Sequence, residues 1–363
     1  MTAVYQVQTE DRTYTVTDDF TSTYRALILG SIQDEISSSQ LEAGVSAHVS
    51  RPDLKVKLAV GGAFAVNGYP EVSFPDLATT SYSVTLAVSA GGYRSQLLTV
   101  NIPAQSTFPI TKSAVKLRRL PVRVQGRVVK ATSGRSPVAG ARLVSVDDPA
   151  NPPAVHTCAL RSPLYFDHAS GVTEREMPLT PTGSAKQLAA DTPAGTTTLT
   201  LSNRTGLAPN SIVAFGPDIQ VEYAVIDGMD PEPADLTQPG NITLRNGLNH
   251  SLAAGTQAQQ VTAGAAGTSR SLAVDANAGD AVLLLDGLLN VDTVEVADPT
   301  PTKVEYHAVG ALSDTDGFYH FDGAGRVSTI FLNASAAPLH DLTEGWTIDY
   351  SSAVNVLDFY LSP

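Results

Sequence analysis

Six of the seven histidines, His156, His168, His250, His307, His320 and His340, are the side chains of this sequence best suited to bind a metal or move a proton. Metal sites built on one element show as His-x₃-His or Cys-x₂-Cys spacings. Neither spacing occurs among them, so a turn-holding role is the expected one, with no metal. Asp314-Thr-Asp316-Gly317 begins like a calcium loop. An EF-hand needs an oxygen ligand at its fifth position and a Glu at its twelfth. Phe318 and Gly325 stand there, and Asp and Gly build tight turns unaided, so a turn is expected. Cys158 lies two residues from His156 in a strand-like stretch, where such neighbours share a face and could touch. A buried, inert cysteine is the competing reading and the one adopted. The sequence holds no G-x-S-x-G elbow and no Gly-rich loop that opens a helix after a strand. Glu222 and Glu305 recur at matched repeat positions, where equivalent acids serve the fold more often than glycoside hydrolysis. No catalytic, cofactor-binding or metal-ligating residue is assigned, and no cofactor is expected.

The elements that would have to position such groups are strands. The 363 residues suffice for several domains. Charged residues are 16%, below the roughly 25% of average soluble proteins, while 42% are hydrophobic, which excludes disorder as the dominant state. Thr, Ser, Val, Ala and Gly with 23 Pro favour short strands and tight turns. The net charge of −13 argues against a nucleic-acid partner, which usually meets a basic footprint. The basic run Lys112–Arg123 is read as a solvated linker or strand face. A single cysteine excludes disulfides within the chain. The first residues carry no signal-peptide pattern and no apolar run is long enough to span a membrane. The expectation is synthesis in a bacterial cytoplasm, no membrane insertion, and incorporation into a larger particle. The best helical pattern, Tyr24 to Ile36, contains Gly30 and is read as a strand.

Two internal repeats organise the chain. In the N-terminal half, Ile28-Leu-Gly30-Ser-Ile-Gln-Asp34 followed by Leu41-Glu-Ala-Gly44-Val45 matches Val124-Gln-Gly126-Arg-Val-Val129 followed by Ser136-Pro-Val-Ala-Gly140-Ala141. Glycine at the paired positions is needed for positive φ or close packing. The first copy continues through Val56–Phe64, Gly68–Pro75 and the alternating Ser81–Ser89 to Gly92-Tyr93. Turn signals every 8–12 residues or so give a sandwich rhythm. These motifs resemble the transthyretin-like, or carboxypeptidase regulatory-like, β-sandwich family, an accessory module that implies a fold and no activity. Gly61-Gly62-Ala-Phe64 stands where the family has its D-x-D-G turn, and Ser313–Gly323 looks like that turn and strand for the second copy.

In the C-terminal half, Leu188–Leu201 aligns with Leu272–Leu285. Both copies then reach an apolar pair, a Val-Glu-Tyr triplet (Val221–Tyr223, Val304–Tyr306), and a His followed by Gly (His250…Gly255, His340…Gly345), with His168-Ala-Ser-Gly171 as a third echo. Such units resemble those of tail and fibre proteins of bacteriophages and of phage-tail-like contractile injection systems. The expected fold is all-β: two transthyretin-like (Ig-like) sandwiches and a tandem pair of small β repeat domains, either inserted in the second sandwich or following it. The boundaries are 1–110 for the first sandwich, 118–160 for the start of the second (completed by 313–363 under the insertion reading), and 185–262 and 270–350 for the repeats. The expected function is a non-enzymatic structural component of a phage tail or contractile injection particle, at the baseplate periphery, cap adaptor or fibre base. Its partners would be other protein subunits, in multiple copies. The alternative is a carbohydrate- or cell-surface-binding adhesin module with a surface glycan as ligand.

Overall fold

A computed structural model describes residues 2–8, 13–19, 25–41, 44–59, 62–68, 81–104, 109–112, 114–151 and 153–363. Among these residues all regular structure is β apart from the two short 3₁₀ turns Asp218–Gln220 and Pro301–Lys303. The chain divides into two units, Met1–Leu120 and Pro121–Pro363. The calls on Gly61 and Tyr69–Pro75 lie outside the described residues, as do parts of those on Tyr24–Ile36 and Leu41–Val45.

In the first unit, Arg25–Asp34 pairs antiparallel with Ala63–Gly68, and Val45–Val49 pairs with Tyr82–Ala90, which pairs with Gln96–Ile102. Inward residues of both sheets share one core, including Leu27, Ile28, Phe64, Val84, Leu86, Val100 and Leu117. The strand Tyr82–Ala90 buries alternate residues, because a period of two puts Val84, Leu86 and Val88 on one face. Of the two readings of the basic run, linker or strand, its Val115–Leu117 takes the strand, parallel to Arg25–Asp34, as does Ile110–Thr111 just before the run. Arg119 then reaches Asp34 at 2.6 Å, and Tyr93 donates to the same carboxylate at 2.9 Å. Burial pushes the pKa of Asp34 up, but hydrogen bonds from Arg119, Ser37 and Tyr93 outweigh it and hold the carboxyl well below its ordinary value.

The second unit contains a sandwich with the same connectivity. Val122–Lys130 pairs with Phe318–Ala324, and Arg142–Val146 pairs with Thr329–Ser335, which pairs with Leu342–Thr347. The chain closes with Val354–Val356 and Phe359–Leu361 parallel to Val122–Lys130. Tyr319, Phe321, Phe359 and Leu143 pack in its core. The matched glycines serve the same ends in both sandwiches. Gly44 and Gly140 take φ of +66° and +69°. Gly30 and Gly126 are close approaches: a Cβ would meet the Phe64 ring at 2.5 Å and the Leu357 carbonyl oxygen at 1.7 Å.

Between Arg142–Val146 and Ala311–Leu312, which pair with each other at the start of the return, run two small β units. In the first, Gln257–Ala263 pairs with Lys186–Gln187 and with Ile212–Phe215, Ile212–Phe215 with Glu222–Met229, and Gly240–Leu244 with both Thr198–Leu201 and Glu222–Met229. The second repeats this pattern from a permuted chain. Thr173–Glu176 pairs with Ser269–Ser271 and with Thr293–Ala297, Thr293–Ala297 with Glu305–Ala308, and His156–Ala159 with Val282–Leu285. Its two closing strands therefore precede the first repeat, and its remaining strands follow it. Superposing the registers sets Gly240–Ala263 on His156–Leu179, so Leu244-Arg245 falls on Leu160-Arg161 and Gly255 on Gly171. His250 then falls on Phe166 and His168 on Leu252. His340 lies after Thr329–Ser335 in the second sandwich. The three histidines are thus not equivalent, because the closing His-Gly segment of the second repeat is not the one that follows it in sequence.

Substituting Gly126→Ala forces a backbone shift against Leu357 and is expected to cost about 3 kcal/mol or more in urea denaturation. Gly134→Ala, where a Cβ meets nothing within 4 Å, should stay within about 1 kcal/mol of the parent. Equal effects at the two positions would refute the close-approach reading.

Candidate functional site

The ionisable groups of the second unit gather where its repeats close. Each repeat begins a matching strand with a buried glutamate. Glu222 accepts the backbone N–H groups of Asn249 and His250, the latter at 3.3 Å. Glu305 accepts those of Tyr165 and Phe166 at 2.7 and 3.3 Å. These are equivalent positions, so the acid ties down the loop that leads into the closing strand. A buried N–H without a partner is costly, and a carboxylate satisfies two at once.

In the second repeat the glutamate anchors a longer chain of polar groups. Ser162 Oγ lies 3.1 Å from His307 Nδ1, and His307 Nε2 lies 2.9 Å from Glu305 Oε2. Glu305 Oε1 is 2.5 Å from His168 Nε2, whose Nδ1 is 2.8 Å from Asp298. Burial alone would lower the pKa of His168, but Glu305 and Asp298 on its two nitrogens raise it. Burial likewise pushes Glu305 up, and the hydrogen bonds from His168 and His307 hold it below its ordinary value. Each ring nitrogen of His168 thus faces a carboxylate oxygen. Ser162, His307 and Glu305 have the connectivity of a nucleophile, base and orienting acid. Ser162 is 1% exposed and His307 fully buried, so an acyl group has no approach to that hydroxyl. The first repeat keeps the glutamate but has Asn246, Ala224 and Leu252 in place of Ser162, His307 and His168.

Cys158 and His156 do not meet. His156 Nδ1 pairs with Asp147 at 2.8 Å, while the Cys158 thiol lies 3.3 Å from Glu174 Oε1. Both Cys158 and Glu174 are buried, and Glu174 Oε2 has no hydrogen-bond partner. Burial pushes the thiol up and the Glu174 carboxyl up to about 7, against a smaller opposing effect of the thiol hydrogen bond. The first repeat has Ile242 and Ala258 at these two positions.

The two repeats face each other with a pseudo-twofold exchange. Arg161 donates to the Asp218 carbonyl of the first repeat, and the equivalent Arg245 donates to the Pro301 carbonyl of the second at 3.1 Å. Tyr165 adds its hydroxyl to Glu222 at 2.6 Å. Beside this junction His250 approaches His320 and Asp322 of the second sandwich. One ligand atom from each lies within 4.8 Å of the other two, the arrangement among the described residues that could hold a metal. Neither His-x₃-His nor Cys-x₂-Cys describes it. His320-x-Asp322 on an alternating strand is the signal that points to two of its three residues, because both side chains share the face opposite Tyr319 and Phe321.

Asp314 is occupied as a turn: its Oδ1 accepts the N–H groups of Asp316 and Phe318, and Gly317 takes φ of +77°. Phe318 is exposed under the Arg127 guanidinium, 3.9 Å from its ring centre. Trp346 stands opposite Ile330 on the strand Leu342–Thr347 and is partly exposed.

No protein-family model matches the chain, and no curated protein matches it. Among solved structures, the major pilin subunit BcpA of Bacillus cereus is similar at 8% identity, over 93% of this chain and 99% of that one, with a TM-score of 0.20. A TM-score at that level carries no argument about this chain.

Replacing His168 by Leu, its counterpart in the first repeat, leaves Glu305 and Asp298 without their shared hydrogen-bond partner. The expected loss is about 3–5 kcal/mol in urea unfolding, and a loss below about 1 kcal/mol would contradict that bridging role. Glu174 gives a pH dependence of opposite origin to a salt-bridged acid. Its folded pKa of about 7 exceeds its ordinary 4.5, so the folded state holds a proton that the unfolded state releases. The contribution is present below about 4.5 and is lost as pH rises through 7, by a total of about 3 kcal/mol. The double change Cys158→Ile with Glu174→Ala, copying the first repeat, should flatten that dependence between pH 5 and 8. An unchanged slope would show that Glu174 does not cause it.

Proposed function

We propose that this chain is a non-enzymatic structural component of a phage tail or phage-tail-like contractile injection particle, made in the bacterial cytoplasm and built into the particle in multiple copies. The observation that carries the reading is the use of its matched ionisable residues. Glu222 and Glu305 each take two backbone N–H groups of a closing loop, and His168 and His307 are spent on Glu305, so this chemistry consolidates β units. Surfaces for subunit contacts are the sheet edges. Gln96–Ile102 ends its sheet and carries Leu97 at 72% exposure, and Leu342–Thr347 ends another. Such edges accept a strand from a partner through main-chain hydrogen bonds, with neighbouring apolar side chains adding specificity.

A carbohydrate- or cell-surface-binding module is the second reading, and the exposed rings of Phe318, Trp346 and Tyr360 favour it. Arg127 covers Phe318 and Arg135 stands 5.2 Å from the Tyr360 ring centre, which makes Trp346 the ring to test.

Affinity purification of the full chain from its producing cell, followed by electron microscopy and mass spectrometry, distinguishes these readings. Sheath, tube or baseplate subunits in fixed stoichiometry are expected. Recovery of the chain as a free monomer would overturn the particle assignment. Glycan-array binding lost in Trp346→Ala would move the assignment to the second reading.

A further inference from the structure

We propose that His250, His320 and Asp322 bind one divalent transition-metal ion of the zinc class, which staples the closing loop of the first repeat to the strand Phe318–Ala324 of the second sandwich. The proposal stands on its own geometry and does not depend on the particle assignment.

The three side chains come from two elements, His250 from the loop before Gln257–Ala263 and His320 and Asp322 from the strand Phe318–Ala324, and converge to within 4.8 Å, each half-buried. His320 Nε2 and Asp322 Oδ2 are 3.5 Å apart. Neighbouring ligands of a tetrahedral zinc ion, bonded at about 2.0–2.1 Å, are about 3.4 Å apart, so one ion fits between these two atoms with little movement. Arg123 Nε holds the other oxygen of the carboxylate, Oδ1, at 2.6 Å, which orients Asp322 and leaves Oδ2 toward the imidazole. His250 Nδ1 lies 3.3 Å from Glu222 Oε2. A carboxylate on one ring nitrogen directs the other toward a metal and raises its basicity. Glu222 and Asp322 together exceed the single charge of Arg123, so the fixed charge around the site is negative when the imidazoles are neutral. Two imidazoles and one carboxylate suit zinc, cobalt or nickel and disfavour calcium and magnesium, which take oxygen ligands. The fourth position falls to water.

The test uses the untagged full-length chain, stripped with a chelator and titrated with Zn²⁺ by calorimetry and with Co²⁺ by visible absorption. One ion per chain and the intense absorption of tetrahedral cobalt are expected. His320→Gln and Asp322→Asn should each abolish the cobalt spectrum, His340→Gln should leave it intact, and Glu222→Gln should weaken binding about 10–100-fold. Circular dichroism confirms that each variant keeps its β structure, and two independent ligand variants guard against one failing to fold. Absence of saturable binding by the parent chain up to about 1 mM zinc, or binding that survives loss of both His250 and His320, would overturn the site.

Discussion

A buried carboxylate that gathers two backbone N–H groups is the interaction on which the central part of this protein depends. Glu222 and Glu305 stand at the start of matching strands and hold the loops at Asn249–His250 and Tyr165–Phe166. Those loops are half-buried at these residues and lead into the closing strands. Without the carboxylate each would lose two charge-assisted hydrogen bonds from half-buried donors, at a cost of up to about 1–3 kcal/mol apiece. With it, the loop is fixed and the strand enters in register. The demand is greater in the second repeat, because its closing strand is supplied from a distant stretch of chain and no short connection holds it in place.

That arrangement is a set of nested interruptions. The second sandwich is opened by Val122–Lys130 and Arg142–Val146 and completed only by strands beyond Ala311. Within that gap the second repeat is opened by His156–Ala159 and Thr173–Glu176 and completed beyond Ser269. The first repeat is the one continuous element at the centre. Contacts of such long sequence separation form late, since chain closure must precede the energy they return. The pseudo-twofold exchange of Arg161 and Arg245 has the isologous form of a two-copy interface, made here within one chain.

The two repeats differ most where they are most buried. Ile242 and Ala258 fill the space that Cys158 and Glu174 occupy, and Leu252 and Ala224 stand where His168 and His307 do. The first repeat spends these positions on apolar packing. The second spends them on polar groups that depend on one another: two acids flank His168 and raise its pKa, and burial beside Cys158 raises that of Glu174. Removing one member therefore costs more than its own hydrogen bond.

Strands were legible in the sequence because their signals are local. Alternation at Ser81–Ser89 follows from a period of two, and Gly44 and Gly140 mark turns that need positive φ. Gly30 and Gly126 could be paired by spacing, and Glu222 and Glu305 by their shared Val-Glu-Tyr context. The all-β class rests on such features. What surrounds each residue was not legible, because it is set by partners far along the chain. The His-Gly echoes suggested that His168, His250 and His340 are equivalent, whereas the permuted closing strand sets His168 on Leu252. Cys158 meets Glu174 from a strand of another sheet and not His156 on its own strand. His250 meets His320 and Asp322 only because the first repeat is carried against the second sandwich, and linear spacing holds no trace of that approach. Local periodicity determines which segments extend; long-range pairing alone decides which side chains they bring together.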